Sequence, residues 1–356
     1  MLYLSTTIQG LEDLAAEEIK KFGGKIIELR KGKVIYEGGE ELIYALNYAS
    51  KTIFRVTIIL AMDKAYNLEE IREIIRNAEV NINGTFAVRT KRRGDHEFTS
   101  MDINAVVGEE ILKKSPGAKV NLDYPDITFL CWLDGDDFLF TMDTTGESLH
   151  RRGYRIYQHP APINPVLASL MLRFAGWNGE RLVDPFCGSG TILIEAYHNY
   201  NNVPNHFREF SFRKIPYYDE EVWEKTKDKI DRKITRKYLE LFGVEKFEKH
   251  IKGCEKNSRK AGVPMRCIKG EAENLHKYVD FAPHIITNPP FGLRIGSKKK
   301  IFKLYEDFAM ELEAYFSGSI FTLIIPYPKF EAYFEVLEKR EIMYGDLQTK
   351  IYRFKI

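Results

Sequence analysis

Two short segments hold residue types at spacings that can do chemistry. The first is Asp184-Pro185-Phe186-Cys187-Gly188-Ser189-Gly190-Thr191, which joins a carboxylate, two glycines and small hydroxyl side chains. It sits between an apolar run and a helical pattern, so it reads as a strand, a tight turn and a helix start. Glycines there let the backbone approach a ligand, and helix-terminal amides point at an anion. The third glycine of a dinucleotide fingerprint and the lysine of a P-loop are both missing, which disfavours pyrophosphate and triphosphate ligands. S-adenosylmethionine fits better: its carboxylate suits the amides, and its sulfonium suits a carboxylate such as Asp184.

The second segment, Thr287-Asn288-Pro289-Pro290-Phe291-Gly292, follows about 100 residues later. An exocyclic amine on a nucleobase is a poor nucleophile because its lone pair is delocalised into the ring. The Asn288 side-chain oxygen and the Pro289 carbonyl can each accept one N–H, which localises the lone pair and aims it at a methyl donor. Phe291 offers a face for stacking the base, which must arrive extruded or already unpaired. Pro289 and Pro290 hold the loop shape at low entropic cost. No general base is required, since the amine loses its proton once alkylated.

Two acidic positions complete a cofactor pocket on this reading. Glu255, with Lys256 after it, is placed at the end of a strand spanning Ile251 to Glu255, where a carboxylate can accept both ribose hydroxyls. In Lys269-Gly270-Glu271-Ala272-Glu273, Glu271 directly follows the glycine and is preferred over Glu273 as acceptor for the adenine amino group.

The elements that must position these residues divide at His159 to Pro165, where three prolines in six residues forbid regular helix or central strand. Before that point the order is strand Leu2 to Thr6, helix Leu11 to Phe22, two strands within Lys25 to Glu37, helix Glu40 to Ala49 and strand Ile53 to Met62, a ferredoxin-like βαββαβ unit. A second α+β unit follows, with helices Asn67 to Arg76 and Asp102 to Lys114 and strands Thr85 to Thr90, Ile127 to Leu133 and Phe138 to Asp143. After the prolines, Asn164 caps an apolar helix with Pro165 in its first turn, and the rhythm becomes that of a doubly wound α/β sheet. Its strands are expected at Arg181 to Asp184, Ile251 to Glu255, Met265 to Ile268, His284 to Thr287 and Ile320 to Ile325. Helices are expected at Thr191 to Tyr200, Asn257 to Ala261, Phe302 to Phe316 and Phe330 to Lys339. A closing antiparallel hairpin turns at Gly345-Asp346. Between Asn201 and Lys249, Val222, Thr226, Ile230, Ile234, Tyr238 and Phe242 recur every four residues, the mark of a long surface helix covering a sheet edge. The domains are thus expected at residues 1–62, 63–150 and 166–356, with residues 151–165 as linker.

Composition narrows the partners. The 356 residues hold 53 Lys+Arg against 51 Asp+Glu, a formal charge of +2, so a histone-like polycation is excluded and charge must be read locally. Residues 1–160 sum to −4 and the remainder to +6. Within the acidic half, Arg89, Lys91, Arg92 and Arg93 are concentrated, and Arg151, Arg152 and Arg155 precede the prolines. Lys298 and Lys299 follow the Asn288 loop. Such clusters can hold RNA phosphates without reading bases. Cys131, Cys187, Cys254 and Cys267 form no CxxC pair, so neither a metal site nor a disulfide framework is indicated. With no signal peptide and no membrane-length apolar run, the chain is expected in the cytoplasm, with no membrane association and no protein partner indicated.

The glycine motif followed by Asn-Pro-Pro-Phe resembles the Rossmann-fold amino-methyltransferases, while Thr85 to Arg93, Phe98-Thr99-Ser100 and Gly146 to Arg155 resemble a THUMP domain leading into its linker. Together they resemble the THUMP-containing guanine-N2 methyltransferases of tRNA that act at nucleotide 6 of the acceptor stem. The resemblance implies a Rossmann-like, S-adenosylmethionine-dependent α/β catalytic domain behind an N-terminal ferredoxin-like unit and a THUMP RNA-binding domain that recognise the tRNA 3′ end. By motif position it implies a methionine-side pocket around Asp184, Phe186, Cys187, Gly188, Ser189, Gly190 and Thr191, closed by Ala161, Pro162, Ile163 and Asn164. Glu255 and Lys256 would serve the ribose, Glu271 and Ala272 the adenine edge, and Asn288, Pro289, Pro290 and Phe291 the target guanine. Competing readings are a guanine-N2 methyltransferase of ribosomal RNA or of tRNA nucleotide 10, an adenine-N6 DNA methyltransferase, and a non-catalytic RNA-binding protein.

Overall fold

The computed structural model describes residues 1–204, 209–292 and 298–356, the Lys298 side chain excepted. The first half runs β1 (Leu2–Thr6), α1 (Glu12–Lys21), β2 (Lys25–Arg30), β3 (Lys33–Glu37), α2 (Glu41–Ala49), β4 (Arg55–Lys64), α3 (Leu68–Asn77), β5 (Gly84–Arg93), α4 (Ser100–Lys114), β6 (Ala118–Val120), β7 (Ile127–Asp134) and β8 (Asp137–Asp143). Local signals agree with their elements. The Asn67 side chain caps α3, and Thr99 and Asp102 form a reciprocal capping box on α4. Along β7, Ile127, Phe129, Cys131 and Leu133 are buried while the residues between them are half-exposed, the period of a strand with one covered face.

The two small units expected here share one sheet. Its order is β2-β3-β1-β4-β8-β7-β5-β6, and the antiparallel ladder from Thr57↔Asp143 to Lys64↔Asp137 joins the ferredoxin-like strands to the second unit. The reason lies in β4, which extends as far as Lys64 and would otherwise leave its far edge unpaired.

The second half continues with α5 (Pro165–Phe174), β9 (Leu182–Asp184), α6 (Thr191–Tyr200), α7 (Glu220–Asp231), β10 (Leu241–Glu245), α8 (Glu248–Ala261), β11 (Arg266–Lys269), β12 (His284–Thr287), α9 (Lys298–Tyr315), β13 (Ile320–Ile325), β14 (Glu335–Tyr344) and β15 (Leu347–Lys355). The sheet order is β11-β10-β9-β12-β13-β15-β14, parallel from β11 to β13 and closed by an antiparallel hairpin. This is the Rossmann-like α/β fold expected of the segment. The first strand in sequence, β9, lies between β10 and β12, so the connections leave it in opposite directions and open a crevice at its C-terminal end.

Three local expectations are corrected. The strand placed at Ile251 to Glu255 is the middle of α8, whose Ile251, Cys254 and Ser258 form a buried stripe ended by Gly262 in the left-handed region; the strand is β10, ten residues earlier. The expected helix Phe330 to Lys339 is a short helical turn at Phe330–Ala332 followed from Glu335 by β14, which its ladder with β15 draws into strand. The insertion helix stops at Asp231, so Phe242 belongs to β10. Its buried face does not cover a sheet edge: Trp223 packs on Tyr44 and Tyr48 of α2, and Tyr48 donates to Asp231. Among the described residues no helix is long and apolar enough to cross a membrane.

Candidate active site

At the C-terminal ends of the parallel strands the motif residues converge. Asp184 ends β9 and is buried, its carboxylate accepting from the Thr287 hydroxyl at 2.6 Å and from the Phe186 amide at 3.2 Å. Burial pushes its carboxyl up to about 7, although both hydrogen bonds favour the charged form. Gly190, at φ +81°, starts α6 without a side-chain cap, which leaves the first amides of that helix for a ligand. A Cβ at Gly190 would lie 2.8 Å from both Cys254 Sγ and Met265 Cε, so the turn has room only for glycine. Cys187 is buried under the turn, Ser189 and Thr191 bring their hydroxyls to 3.4 Å, and the Phe186 ring meets Phe308 edge-on at 5.2 Å.

Thr287 ends β12, and Asn288 follows it with a buried Oδ1 that has no hydrogen-bond partner among the described residues. A buried acceptor without a donor costs about 1–3 kcal/mol, so this oxygen is an exception that calls for an explanation. The loop behind it is fixed: Tyr305 of α9 donates to the Pro290 carbonyl at 2.5 Å. The Pro290 carbonyl is thus engaged within the chain, which fits the expectation that Pro289, and not Pro290, supplies the second acceptor. Phe291 is half-buried with one side on the core.

The acidic positions separate. Glu255 and Lys256 are exposed two turns into α8, and neither stands at a strand end. The carboxylate that does is Glu245, the last residue of β10, which accepts from Gly188 N at 3.2 Å and from Phe247 N at 2.9 Å. Sequence reasoning missed it because Phe242 was assigned to the insertion helix; the apolar run Leu241 to Val244 ending in an acid, followed by the helical stripe of α8, was the available signal. Glu271 follows β11 at the start of a short helix, paired with Lys246 at 2.8 Å, and Ala272 beside it is buried. Among the linker residues, Ile163 is buried, Ala161 is exposed, and Pro162 and Asn164 are half-buried; the Asn164 side chain caps α5 as expected.

The basic clusters also divide. On β5, Arg89, Lys91 and Arg93 are exposed, with Lys91 Nζ 5.3 Å from the centre of the Trp132 ring and Lys33 Nζ 5.1 Å from it. Arg92 points the other way, to His96 Nδ1 at 2.9 Å. Arg151 is exposed and paired with Glu147, and Arg155 is half-buried. Arg152 does not belong to this group. Its side chain is wholly buried in an ion pair with Glu195 of α6, and it also donates to the Leu149 and Lys51 carbonyls. Tyr154 and Ser169 complete the Glu195 carboxylate. Arg152 therefore holds the N-terminal half to the catalytic half. Lys299 is exposed at the start of α9, while the Lys298 side chain lies outside the described residues.

The uncapped helix start, the left-handed glycine, the buried Asp184 and the strand-end Glu245 are donors and acceptors that fit S-adenosylmethionine, the cofactor of this enzyme class. Comparison with known proteins agrees. Residues 152–350 match the RMKL-like methyltransferase domain, residues 67–143 the THUMP domain and residues 3–57 the RlmL ferredoxin-like domain. A tRNA (guanine(6)-N2)-methyltransferase of Methanocaldococcus jannaschii is 35% identical, with 99% of each chain covered. One of the same name from Archaeoglobus fulgidus is 36% identical over 99% of this chain and 92% of its own. The crystal structure of a possible methylase from Clostridium difficile 630 superposes with a TM-score of 0.89 at 28% identity, covering 99% of this chain and 97% of that one. The chain belongs to the RMKL-like methyltransferase family, in the form that carries a ferredoxin-like unit and a THUMP domain ahead of the catalytic domain.

Proposed function

We propose that this enzyme transfers a methyl group to the exocyclic N2 amine of a guanosine in tRNA, at nucleotide 6 of the acceptor stem. The observation that carries the proposal is the buried, partnerless Asn288 Oδ1 at the end of β12, one residue after the threonine that binds Asp184. When bound, S-adenosylmethionine would supply a methyl group activated by its sulfonium, the S–CH3 bond breaking to leave the neutral thioether S-adenosylhomocysteine. Asp184 and the amides at the start of α6 would hold its charged methionine end, Glu245 its ribose, and Glu271 with Ala272 its adenine edge.

The chain's own part in the reaction is positioning and charge stabilisation. Asn288 Oδ1 accepts one N–H of the target amine and the Pro289 carbonyl accepts the other, which turns the nitrogen lone pair out of conjugation and towards the donor. Tyr305 keeps the Pro289-Pro290 backbone in place while this happens. Phe291 stacks the extruded base. As the N–C bond forms, positive charge grows on the amine, and both acceptors strengthen their hold on its protons; the proton then leaves to solvent. The exposed Arg89, Lys91 and Arg93, with Lys33 and Trp132, would take phosphates and a stacked base of the tRNA 3′ end.

Two full-length relatives that bear the tRNA (guanine(6)-N2)-methyltransferase name support the choice of base and position. The test is to incubate unmodified tRNA transcripts with methyl-labelled S-adenosylmethionine and to map the product by mass spectrometry. N2-methylguanosine at nucleotide 6, absent from transcripts with another base there, is the expected result. Label on adenine, on another tRNA position or only on ribosomal RNA would overturn it.

A further inference from the structure

The segment between the two halves, residues 157–164, is fastened at both ends by groups that no motif reading singled out. At its start, the Asn257 side chain of α8 grips the backbone of Tyr157 on both sides, accepting from its N–H at 2.8 Å and donating to its C=O at 3.1 Å. The same amide donates to the Ser189 carbonyl inside the glycine turn at 3.2 Å. Asn257 is fully buried, so one side chain fixes the strap and the turn to each other. The Tyr157 ring lies flat on α8 where Gly253 leaves a gap; a Cβ there would sit 2.1 Å from the ring. Its hydroxyl meets His250 Nδ1 at 2.7 Å. Next along the chain, the His159 ring meets that of His250 edge-on, with centres 4.2 Å apart, and comes within 3.5 Å of where a Gly188 Cβ would be.

At its far end, the Tyr344 hydroxyl donates to the Pro162 carbonyl at 3.0 Å and accepts from the Asn164 amide at 3.2 Å. Tyr344 is the last residue of β14, and β14 is docked on the N-terminal unit through Arg340 to Asp13 at 2.6 and 2.7 Å and Met343 N to Gln9 O at 3.2 Å. The strap thus runs beside the glycine turn between two latches, one on helix α8 and one on β14, which is backed by the N-terminal unit.

On the expectation that Ala161 to Asn164 close over the S-adenosylmethionine pocket, we infer that Asn257 and Tyr344 are the positioning residues that hold residues 157–164 in place as its roof. The inference rests on the reading of the Asp184–Thr191 turn as the cofactor site. Physically, a roof that is already in place spares the cofactor the entropy of ordering a loop, and Pro160, Pro162 and Pro165 restrict the segment further. Releasing one latch returns that ordering cost to the binding step. The chemical step, run by Asn288 on the other side of the crevice, is spared. A role in general stability alone would lower the melting temperature and leave cofactor affinity unchanged.

The test compares full-length Tyr344→Phe, Asn257→Ala and Gly190→Val by steady-state kinetics, by calorimetric titration with S-adenosylhomocysteine and by thermal melting. For Tyr344→Phe, which loses two hydrogen bonds and keeps the ring, the KM for S-adenosylmethionine is expected to rise about tenfold with kcat changed less than twofold. The KM for tRNA should hold, and the melting temperature should fall by only the few degrees that two lost hydrogen bonds account for. Asn257→Ala should move affinity in the same direction, and Tyr344→Phe decides the question if that variant does not fold. Unchanged cofactor affinity in Tyr344→Phe, with binding abolished in Gly190→Val, overturns the roof while the pocket stands. Unchanged affinity in Gly190→Val overturns the pocket itself.

Discussion

The Thr287 hydroxyl donates a 2.6 Å hydrogen bond to Asp184 Oδ1, tying the strand that leads into the Asn288 loop to the strand that leads into the glycine turn. The two motifs are 103 residues apart in sequence, yet this contact makes their geometry a single quantity. It also leaves Asp184 in a buried site whose carboxyl is pushed up to about 7.

That shift has a definite sign in pH. Unfolded, Asp184 titrates near 3.8; folded, near 7. Between those values the native state holds one more proton than the unfolded one, so this group's contribution to stability is full at low pH and falls by about 1.4 kcal/mol per unit as pH rises towards 7. Thermal melting of the cofactor-free protein should show that descent, and Asp184→Asn should flatten it. Binding S-adenosylmethionine, with its cationic groups near Asp184, should expel the proton. Calorimetry at pH 6.5 in buffers of different ionisation heat should detect up to one proton released per cofactor, and Asp184→Asn should abolish the release.

Asn288→Ala removes the acceptor that has no partner of its own. Its loss should lower kcat by about 10²- to 10³-fold, the range seen when a single transition-state hydrogen-bonding group is deleted. Affinity for tRNA, measured by filter binding, should stay within twofold, since Asn288 Oδ1 is assigned to the reacting amine and not to the grip on the tRNA.

Glu245 and Glu255 offer a paired comparison. Glu245→Ala should raise the KM for S-adenosylmethionine ten- to a hundredfold, corresponding to about 1.5–3 kcal/mol for hydrogen bonds to a charged acceptor. Glu255→Ala, on the exposed face of α8, should leave it within twofold.

Arg152 and Arg93 should fail in different ways. Arg152→Ala strips the partner from a wholly buried carboxylate and should cost about 3–5 kcal/mol of stability by denaturant unfolding. Changing Lys91 and Arg93 together to alanine should leave stability nearly intact and reduce the slope of log affinity against log salt by about 2.

The basic residues show where reading a sequence stops. Arg89 to Arg93 alternate along a strand, so their division into an exposed set and the inward-turned Arg92 follows from a period of two that is already visible. Arg151 and Arg152 are neighbours of the same type, and nothing local distinguishes the one on the surface from the one paired with Glu195 inside. The acids behave similarly. A strand end followed by an acid was legible as a ribose site in principle, but Gly243 weakened the strand signal of β10 and the four-residue spacing of apolar residues was carried across it.

By itself the sequence determined the class of chemistry and the fold that serves it. The glycine turn and the Asn-Pro-Pro-Phe loop are contiguous, and their function depends on backbone conformations that their own glycines and prolines impose. Helix caps, strand alternation and the proline-rich break are local in the same sense. Only the tertiary structure decided which acid stands at a strand end beside the glycine turn, which arginine is buried, that the two N-terminal units share a sheet, and that Asn257 and Tyr344 meet the linker. Each of these depends on contacts between residues tens to hundreds of positions apart, whose favourable terms are burial and pairing rather than local backbone preference.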